Sequence, residues 1–135
     1  MANVLVADDE ALLRWALCQR LARDGHAVTE ALDGSAALAA IQTLPAPAVV
    51  VLDLKLPDMS GLDVLRAIRR RRPDAAVVMI TAYWAGDALA EARRLGVEHL
   101  LAKPIDLDRV AAVVAEAGSS AGRRANTFIQ RGSPC

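Results

Sequence analysis

Val49-Val50-Val51-Leu52-Asp53 is the stretch that decides the fold of this 135-residue chain, because it is continuously apolar and ends in an acid. A short run without polar alternation indicates a strand that is buried on both faces, as in a parallel sheet. Three similar runs also end in polar side chains: residues 4–7 before Asp8-Asp9, residues 77–80 before Thr81, and residues 100–102 before Lys103. If the runs are neighbouring parallel strands, these polar endings converge on one edge of one sheet.

The stretches between the runs carry apolar residues at helical spacing, so strands and helices alternate along the chain. We predict strands at residues 3–7, 26–30, 48–53, 75–80 and 97–102, and helices at residues 10–23, 35–44, 62–71, 87–95 and 106–117. Five successive βα units predict an α/β fold: a doubly wound, five-stranded parallel sheet flanked by five helices. Ligands of such sheets bind outside the carboxyl ends of the strands.

Composition predicts one domain at residues 1–117 and a flexible tail or linker at residues 118–135, where Gly118-Ser119-Ser120-Ala121-Gly122 is linker-like. The 16 basic and 16 acidic residues cancel, which is poor evidence for nucleic-acid binding. We interpret Arg69-Arg70-Arg71-Arg72 as a solvated helix end. Two cysteines, no basic leader segment and no unbroken apolar stretch long enough for a membrane indicate a cytoplasmic protein.

The polar endings have the chemistry of a phosphorylation site. Asp8, Asp9 and Asp53 would form an oxygen-rich cluster of the kind that Mg²⁺ prefers. As an alternative of about equal weight, the acids at residues 8–10 only cap the first helix. Asp53 is the candidate nucleophile, because a carboxylate can accept a phosphoryl group to give an acyl phosphate.

Thr81 and Lys103 could stabilise the phosphoryl oxygens, one by a hydrogen bond and the other by its charge. Taken alone, Thr81 is better read as an ordinary strand-end hydroxyl. The corresponding reading of Lys103, as a surface lysine, is weakened because the chain has two lysines against fourteen arginines, and this one lies between an apolar run and Pro104.

The ordered set Asp8-Asp9, Asp53, Thr81 and Lys103-Pro104 resembles the receiver domain of two-component response regulators, which has a flavodoxin-like fold. Residues 51–62 and 101–104 are typical of that family, and the resemblance covers residues 3–117. The sequence around Trp15 is similar to receivers that precede AAA+ transcriptional activator modules.

The resemblance implies that a sensor histidine kinase or a phosphotransfer protein phosphorylates Asp53. It implies that Asp9 and Asp53 bind Mg²⁺ directly, that Asp8 acts through water, and that the backbone carbonyl of Lys55 is a further ligand. Such a domain catalyses only its own phosphotransfer and autodephosphorylation, so it is not an enzyme acting on other substrates. The resemblance also implies a cis peptide bond between Lys103 and Pro104.

Leu100 departs from the family pattern, because receivers usually carry an aromatic residue three positions before the lysine. The conformational change on phosphorylation would then depend on loop movement, or on bulk supplied by Tyr83 or Trp84. Lys55 and Tyr83 lie two residues after Asp53 and Thr81, and they are expected to shield an acyl phosphate for minutes or longer.

Three alternatives to the receiver differ in how well they fit the sequence. A phosphatase of the haloacid-dehalogenase type needs an acid where this chain has Lys55, so its chemistry fails. A degenerate receiver that binds proteins independently of phosphate stays open because of Leu100. Direct nucleic-acid binding is not expected, because the residues after 117 leave no room for a helix-turn-helix domain. Signalling is therefore expected through protein contacts, with residues 97–117 as the output or homodimer surface and no role for a membrane.

Overall fold

The structure, a computed structural model, describes the backbone of residues 2–82 and 86–132, and the side chains of the last helix as far as residue 119. Strands and helices alternate along it: β1 (Asn3–Ala7), α1 (Ala11–Arg23), β2 (Ala27–Ala31), α2 (Gly34–Gln42), β3 (Val49–Asp53), α3 (Gly61–Arg71), β4 (Ala76–Thr81), α4 (Gly86–Arg94), β5 (His99–Ala102) and α5 (Leu107–Gly132).

The strands form one parallel sheet in the order β2-β1-β3-β4-β5. The register pairs Ala7 with Leu52, Asp53 with Ile80, and Thr81 with Ala102. Four strands therefore end at nearly the same level, and the predicted fold and the convergence of the strand ends are confirmed.

Alternate residues of each strand point to opposite faces of the sheet, and both faces are covered. Val50 and Leu52 pack in a layer with α2, α3 and Ala92 of α4. Val49 and Val51 pack in a second layer with α1 and α5. This burial on both sides explains why β3 is apolar at every position before Asp53 rather than at every second one.

Helix α5 continues to Gly132, whereas the sequence predicted an end at residue 117. Gly118 lies against the amino ends of the central strands: a Cβ atom at Gly118 would be 3.3 Å from the Cβ of Ala2, just before β1, and 3.8 Å from Cγ2 of Val49 in β3. A helical glycine costs about 1 kcal/mol relative to alanine, which does not end a helix that has good helix formers beyond it. Ala121, Arg123, Arg124 and Ala125 are of that kind. The flexibility of residues 118–135 stays a prediction.

The arginine cluster at the end of α3 is less solvated than predicted. Arg69 donates to the carbonyl oxygens of Leu95 at 2.6 Å and Ala75 at 2.7 Å, and Arg72 donates to that of Ile41 at 3.1 Å. These bonds satisfy carbonyls at the ends of other elements, which is a role that the local sequence does not reveal. Within the described residues, no helix combines the length and apolar character that a membrane span requires.

Candidate functional site

The structure brings the predicted residues together at the carboxyl edge of the sheet. Asp8 directly follows β1, Asp53 and Thr81 are the last residues of β3 and β4, and Lys103 directly follows β5. A cleft of about 240 Å³ lies at this edge, and its lining includes Asp9, Glu10, Asp53, Lys55, Thr81 and Lys103. A larger cleft of about 570 Å³ lies at the opposite end of β4 and β5, around Arg69 and His99, away from this chemistry.

Lys103 is the centre of the site, because its ammonium group meets three carboxylates. The Nζ atom lies 2.6 Å from Glu10 Oε1, 2.8 Å from Asp53 Oδ2 and 3.1 Å from Asp8 Oδ2. Burial alone would lower the pKa of Lys103, but hydrogen bonds to Asp53 and Glu10, together with the nearby Asp8 carboxylate, outweigh it and raise the pKa above its ordinary value. The lysine is therefore a permanent cation in this cleft. Its peptide bond to Pro104 is cis.

Asp53 is buried, with both carboxylate oxygens already oriented. Oδ2 accepts from Lys103 Nζ at 2.8 Å, and Oδ1 accepts from the backbone amide of Lys55 at 3.1 Å. The side chain is 6% exposed, so only the edge facing the cleft is open to a reactant.

The loop after Asp53 is held close to the strand by Gly61. Its amide donates to the carbonyl oxygen of Leu54 at 2.6 Å. A Cβ atom at Gly61 would lie 2.8 Å from Leu54 Cα and even closer to the Asp53 carbonyl oxygen. The start of α3 therefore touches the backbone that carries the candidate nucleophile.

Thr81 is fully buried at the end of β4, beside Asp53 in the sheet. The backbone amide of Lys103 donates to the Thr81 carbonyl oxygen at 2.9 Å. The hydroxyl-bearing and ammonium-bearing residues are thus linked through their main chains.

Asp8 is completely buried, and one of its oxygens lacks a hydrogen bond. Oδ1 accepts from the Glu10 amide at 2.8 Å, whereas Oδ2 approaches Lys103 at 3.1 Å without hydrogen-bond geometry. Burial raises the pKa of Asp8, against the opposing effects of the Glu10 amide and the Lys103 ammonium.

The alternative in which these acids only cap α1 describes part of the arrangement. Glu10 occupies the N-cap position, but its side chain makes no capping hydrogen bond. Its carboxylate turns to Lys103 instead, so the sequence reasoning that treated Glu10 as a helix cap missed a site residue. The signal was weak, because an acid before a helix is common and the contact joins residues 93 positions apart.

The donors present fit a divalent metal ion. Asp8, Glu10 and Asp53 each offer an oxygen within 4.8 Å of the others, and the unbonded Asp8 Oδ2 is one such hard ligand. Asp9 is exposed and lines the same cleft, but it is not in this group. The roles predicted for Asp9 and the Lys55 carbonyl stay predictions.

Two other expectations concern the residues that would change conformation on phosphorylation. Leu100 is partly buried and packs against the layer that contains α2 and α3. Tyr83 and Trp84, named as possible replacements for the missing aromatic ring, lie outside the described residues.

Comparison with known proteins identifies the family. Residues 4–115 match the family model described as the response regulator receiver domain. The probable transcriptional regulatory protein TcrX of Mycobacterium tuberculosis is 40% identical over 108 residues, which are 80% of this chain and 46% of TcrX. The DNA-binding transcriptional regulator NtrC of Salmonella typhimurium is 36% identical over 114 residues, which are 84% of this chain and 24% of NtrC.

This chain therefore spans less than half the length of these two relatives. NtrC agrees with the predicted similarity to receivers of AAA+ activators. The fold matches that of a CheY-like receiver domain protein from Methanospirillum hungatei, with a TM-score of 0.87, 22% identity, and coverage of 92% of this chain and 98% of that one. The chain belongs to the response regulator receiver domain family of two-component systems.

Proposed function

We propose that Asp53 accepts a phosphoryl group from a sensor histidine kinase or a phosphotransfer protein, and that the phosphorylated domain signals through protein contacts in the cytoplasm. The observation that carries this proposal is the ion pair between Lys103 Nζ and Asp53 Oδ2, 2.8 Å long and buried at the sheet edge beside Thr81. Family membership supports the reaction class.

The proposed step is an in-line displacement at phosphorus. A carboxylate oxygen of Asp53 forms a bond to phosphorus while the bond to the phosphohistidine nitrogen breaks. The leaving imidazole keeps the electron pair of that bond and needs no general acid from this chain. Water later cleaves the acyl phosphate and returns the domain to its starting state. This is the autodephosphorylation expected of such a domain.

Positioning and charge neutralisation would supply most of the catalysis. The Lys55 amide and Lys103 ammonium hold the Asp53 carboxylate with one edge facing the cleft. Lys103 would also bind one phosphoryl oxygen by charge, and the Thr81 hydroxyl would donate a hydrogen bond to another.

Mg²⁺ is the cofactor that we propose, and it would neutralise negative charge on the phosphoryl oxygens when bound. Asp8 and Asp53 would hold it, together with Asp9 and the Lys55 carbonyl as the family resemblance implies. Glu10, which the sequence reasoning did not include, also lies within reach of this group.

The test is the intact mass of the protein after incubation with acetyl phosphate, with and without Mg²⁺. We expect a Mg²⁺-dependent gain of one phosphoryl group in the wild type and none in Asp53→Asn. Asp63→Asn is the matched control, because Asp63 is exposed on α3 and pairs with Arg66 at 3.0 Å. It should gain the group as the wild type does.

No gain in a folded wild-type protein would favour the second candidate, a degenerate receiver that binds its partners independently of phosphate. Leu100 is the observation that favours this candidate. In either case residues 97–117 are the proposed output or homodimer surface.

A further inference from the structure

We infer that Glu10 is a displaceable counterion: it holds Lys103 in the unphosphorylated protein and yields it to the incoming phosphoryl group. The inference rests on the proposed function and adds a residue that restrains the same reaction.

Of the three N–H donors of the Lys103 ammonium group, two bond to Glu10 and Asp53, and Asp8 Oδ2 lies 3.1 Å from the same nitrogen. The pair with Glu10 is the shortest, at 2.6 Å. A phosphoryl oxygen can therefore approach this ammonium closely only if one carboxylate moves away or shares its donor.

The three carboxylates differ in how readily they can move. Asp8 and Asp53 have side chains that are 0% and 6% exposed, so displacing either leaves a charge buried without its cation. The Glu10 side chain is 59% exposed. Water can solvate its carboxylate after displacement, so Glu10 is the partner whose release costs least.

No helix-capping role ties the Glu10 side chain in place. It stands at the N-cap of α1 without a capping hydrogen bond, and the backbone there is fixed instead by its amide, which donates to Asp8 Oδ1 at 2.8 Å. The carboxylate is free to leave Lys103 without disturbing the helix start.

Two consequences follow for a neutral residue at this position. The cleft loses a negative charge that repels an anionic phosphodonor, and Lys103 loses a competitor of the phosphoryl oxygens. The carboxyl cluster also carries one negative charge fewer, so its attraction for a divalent cation weakens. Glu10→Gln should therefore phosphorylate faster at saturating Mg²⁺ but require more Mg²⁺ to reach half of its maximal rate.

The experiment measures the rate of phosphorylation by acetyl phosphate across a Mg²⁺ titration, in the wild type, Glu10→Gln and Asp63→Asn. Asp63 is the charge-matched control, because it is exposed on α3 and pairs with Arg66 rather than with a residue of the cleft. We expect Glu10→Gln to be about threefold faster or more at saturating Mg²⁺, the size of effect that a single partly exposed charge exerts. Asp63→Asn should match the wild type.

A second readout does not depend on phosphotransfer. The chain has two lysines, Lys55 and Lys103, so the side-chain ammonium resonances in an NMR spectrum can be assigned by substituting Lys55 with Arg. The Lys103 signal should shift in Glu10→Gln and stay in place in Asp63→Asn.

Each outcome is decisive. An unchanged or slower rate in Glu10→Gln, with a wild type that is phosphorylated normally, would overturn the inference and leave the proposed function intact. An unshifted Lys103 resonance would overturn it as well. A wild type that takes up no phosphoryl group would instead overturn the proposed function on which the inference depends.

Discussion

Gly61 is the residue whose lack of a side chain most directly shapes the backbone around the phosphoacceptor. The space that a Cβ atom would occupy is already filled by the main chain of Asp53 and Leu54, with Leu54 Cα only 2.8 Å away. Backbone cannot move aside as a flexible side chain can. Gly86, at the start of α4, has no heavy atom within 4 Å of the equivalent position.

We expect Gly61→Ala to lower the free energy of unfolding by about 1–3 kcal/mol, the usual cost of inserting a methyl group into a packed site. Gly86→Ala should be neutral or stabilise the protein by up to about 1 kcal/mol, since alanine favours the helix. Urea denaturation of the two variants and the wild type measures both effects. Equal stability of the two variants would show that the loop after Asp53 relaxes freely.

At the same scale, the sequence predicted the positions of Asp53, Thr81 and Lys103 because each ends or follows an apolar strand, and parallel strands align their ends. It did not predict the contacts of Glu10 or Arg69. Those contacts depend on how far a long side chain reaches across to another element, which local pattern does not encode.

Helix α2 begins at a point where two elements meet. Its own N-cap, Asp33, accepts from the Ala36 amide at 2.8 Å. Asp58, from the loop between β3 and α3, accepts from the amides of Gly34 and Ser35 at 2.7 and 2.9 Å and from the Ser35 hydroxyl at 2.9 Å. Hydrogen bonds from Gly34 and then Ser35 lower the pKa of Asp58 below its ordinary value of 3.8.

A carboxyl group with a depressed pKa stabilises the folded state only while it is ionised. Between the folded pKa and 3.8 the unfolded chain binds more protons, so stability rises with pH there and is lost as pH falls. We expect Asp58→Asn to be less stable than the wild type near neutral pH and the difference to shrink below pH 3.8. Urea midpoints at neutral and acidic pH measure this; a constant difference would contradict it.

The elements themselves followed the sequence closely, and their ends less so. Gly25 and Gly96, which follow α1 and α4, have φ values of 97° and 83°, the left-handed conformation in which many helices end. The predicted end of α5 was wrong. Gly118 and its neighbours have the composition of a linker, and the sequence does not reveal that Gly118 lies against Ala2.

For the molecule as a whole, the sheet separates two apolar layers. The reactivity of Cys18 depends on the packing of one of them. It lies on α1, partly buried against the layer formed with α5. Burial raises the pKa of the Cys18 thiol from 9.0 to about 11.

We expect Cys18 to react with iodoacetamide at pH 8 about a hundredfold more slowly in the folded protein than in urea, because its thiolate fraction falls by about that factor. A Cys135→Ser background isolates the signal, since these are the two cysteines of the chain. Mass spectrometry over time gives both rates. Similar rates would mean that α1 detaches from the sheet readily.

The strand order also has a consequence for biosynthesis. After the pairing of β1 with β2, each later strand joins the growing edge next to its predecessor or β1, so the sheet can assemble in the direction of translation. Lys103 arrives last, directly after β5. Until it emerges from the ribosome, Asp8, Glu10 and Asp53 have no ammonium between them, and their mutual repulsion opposes closure of the edge. The final strand thus brings the charge that completes the domain, and a nascent chain that stops short of it carries an unfinished, self-repelling edge.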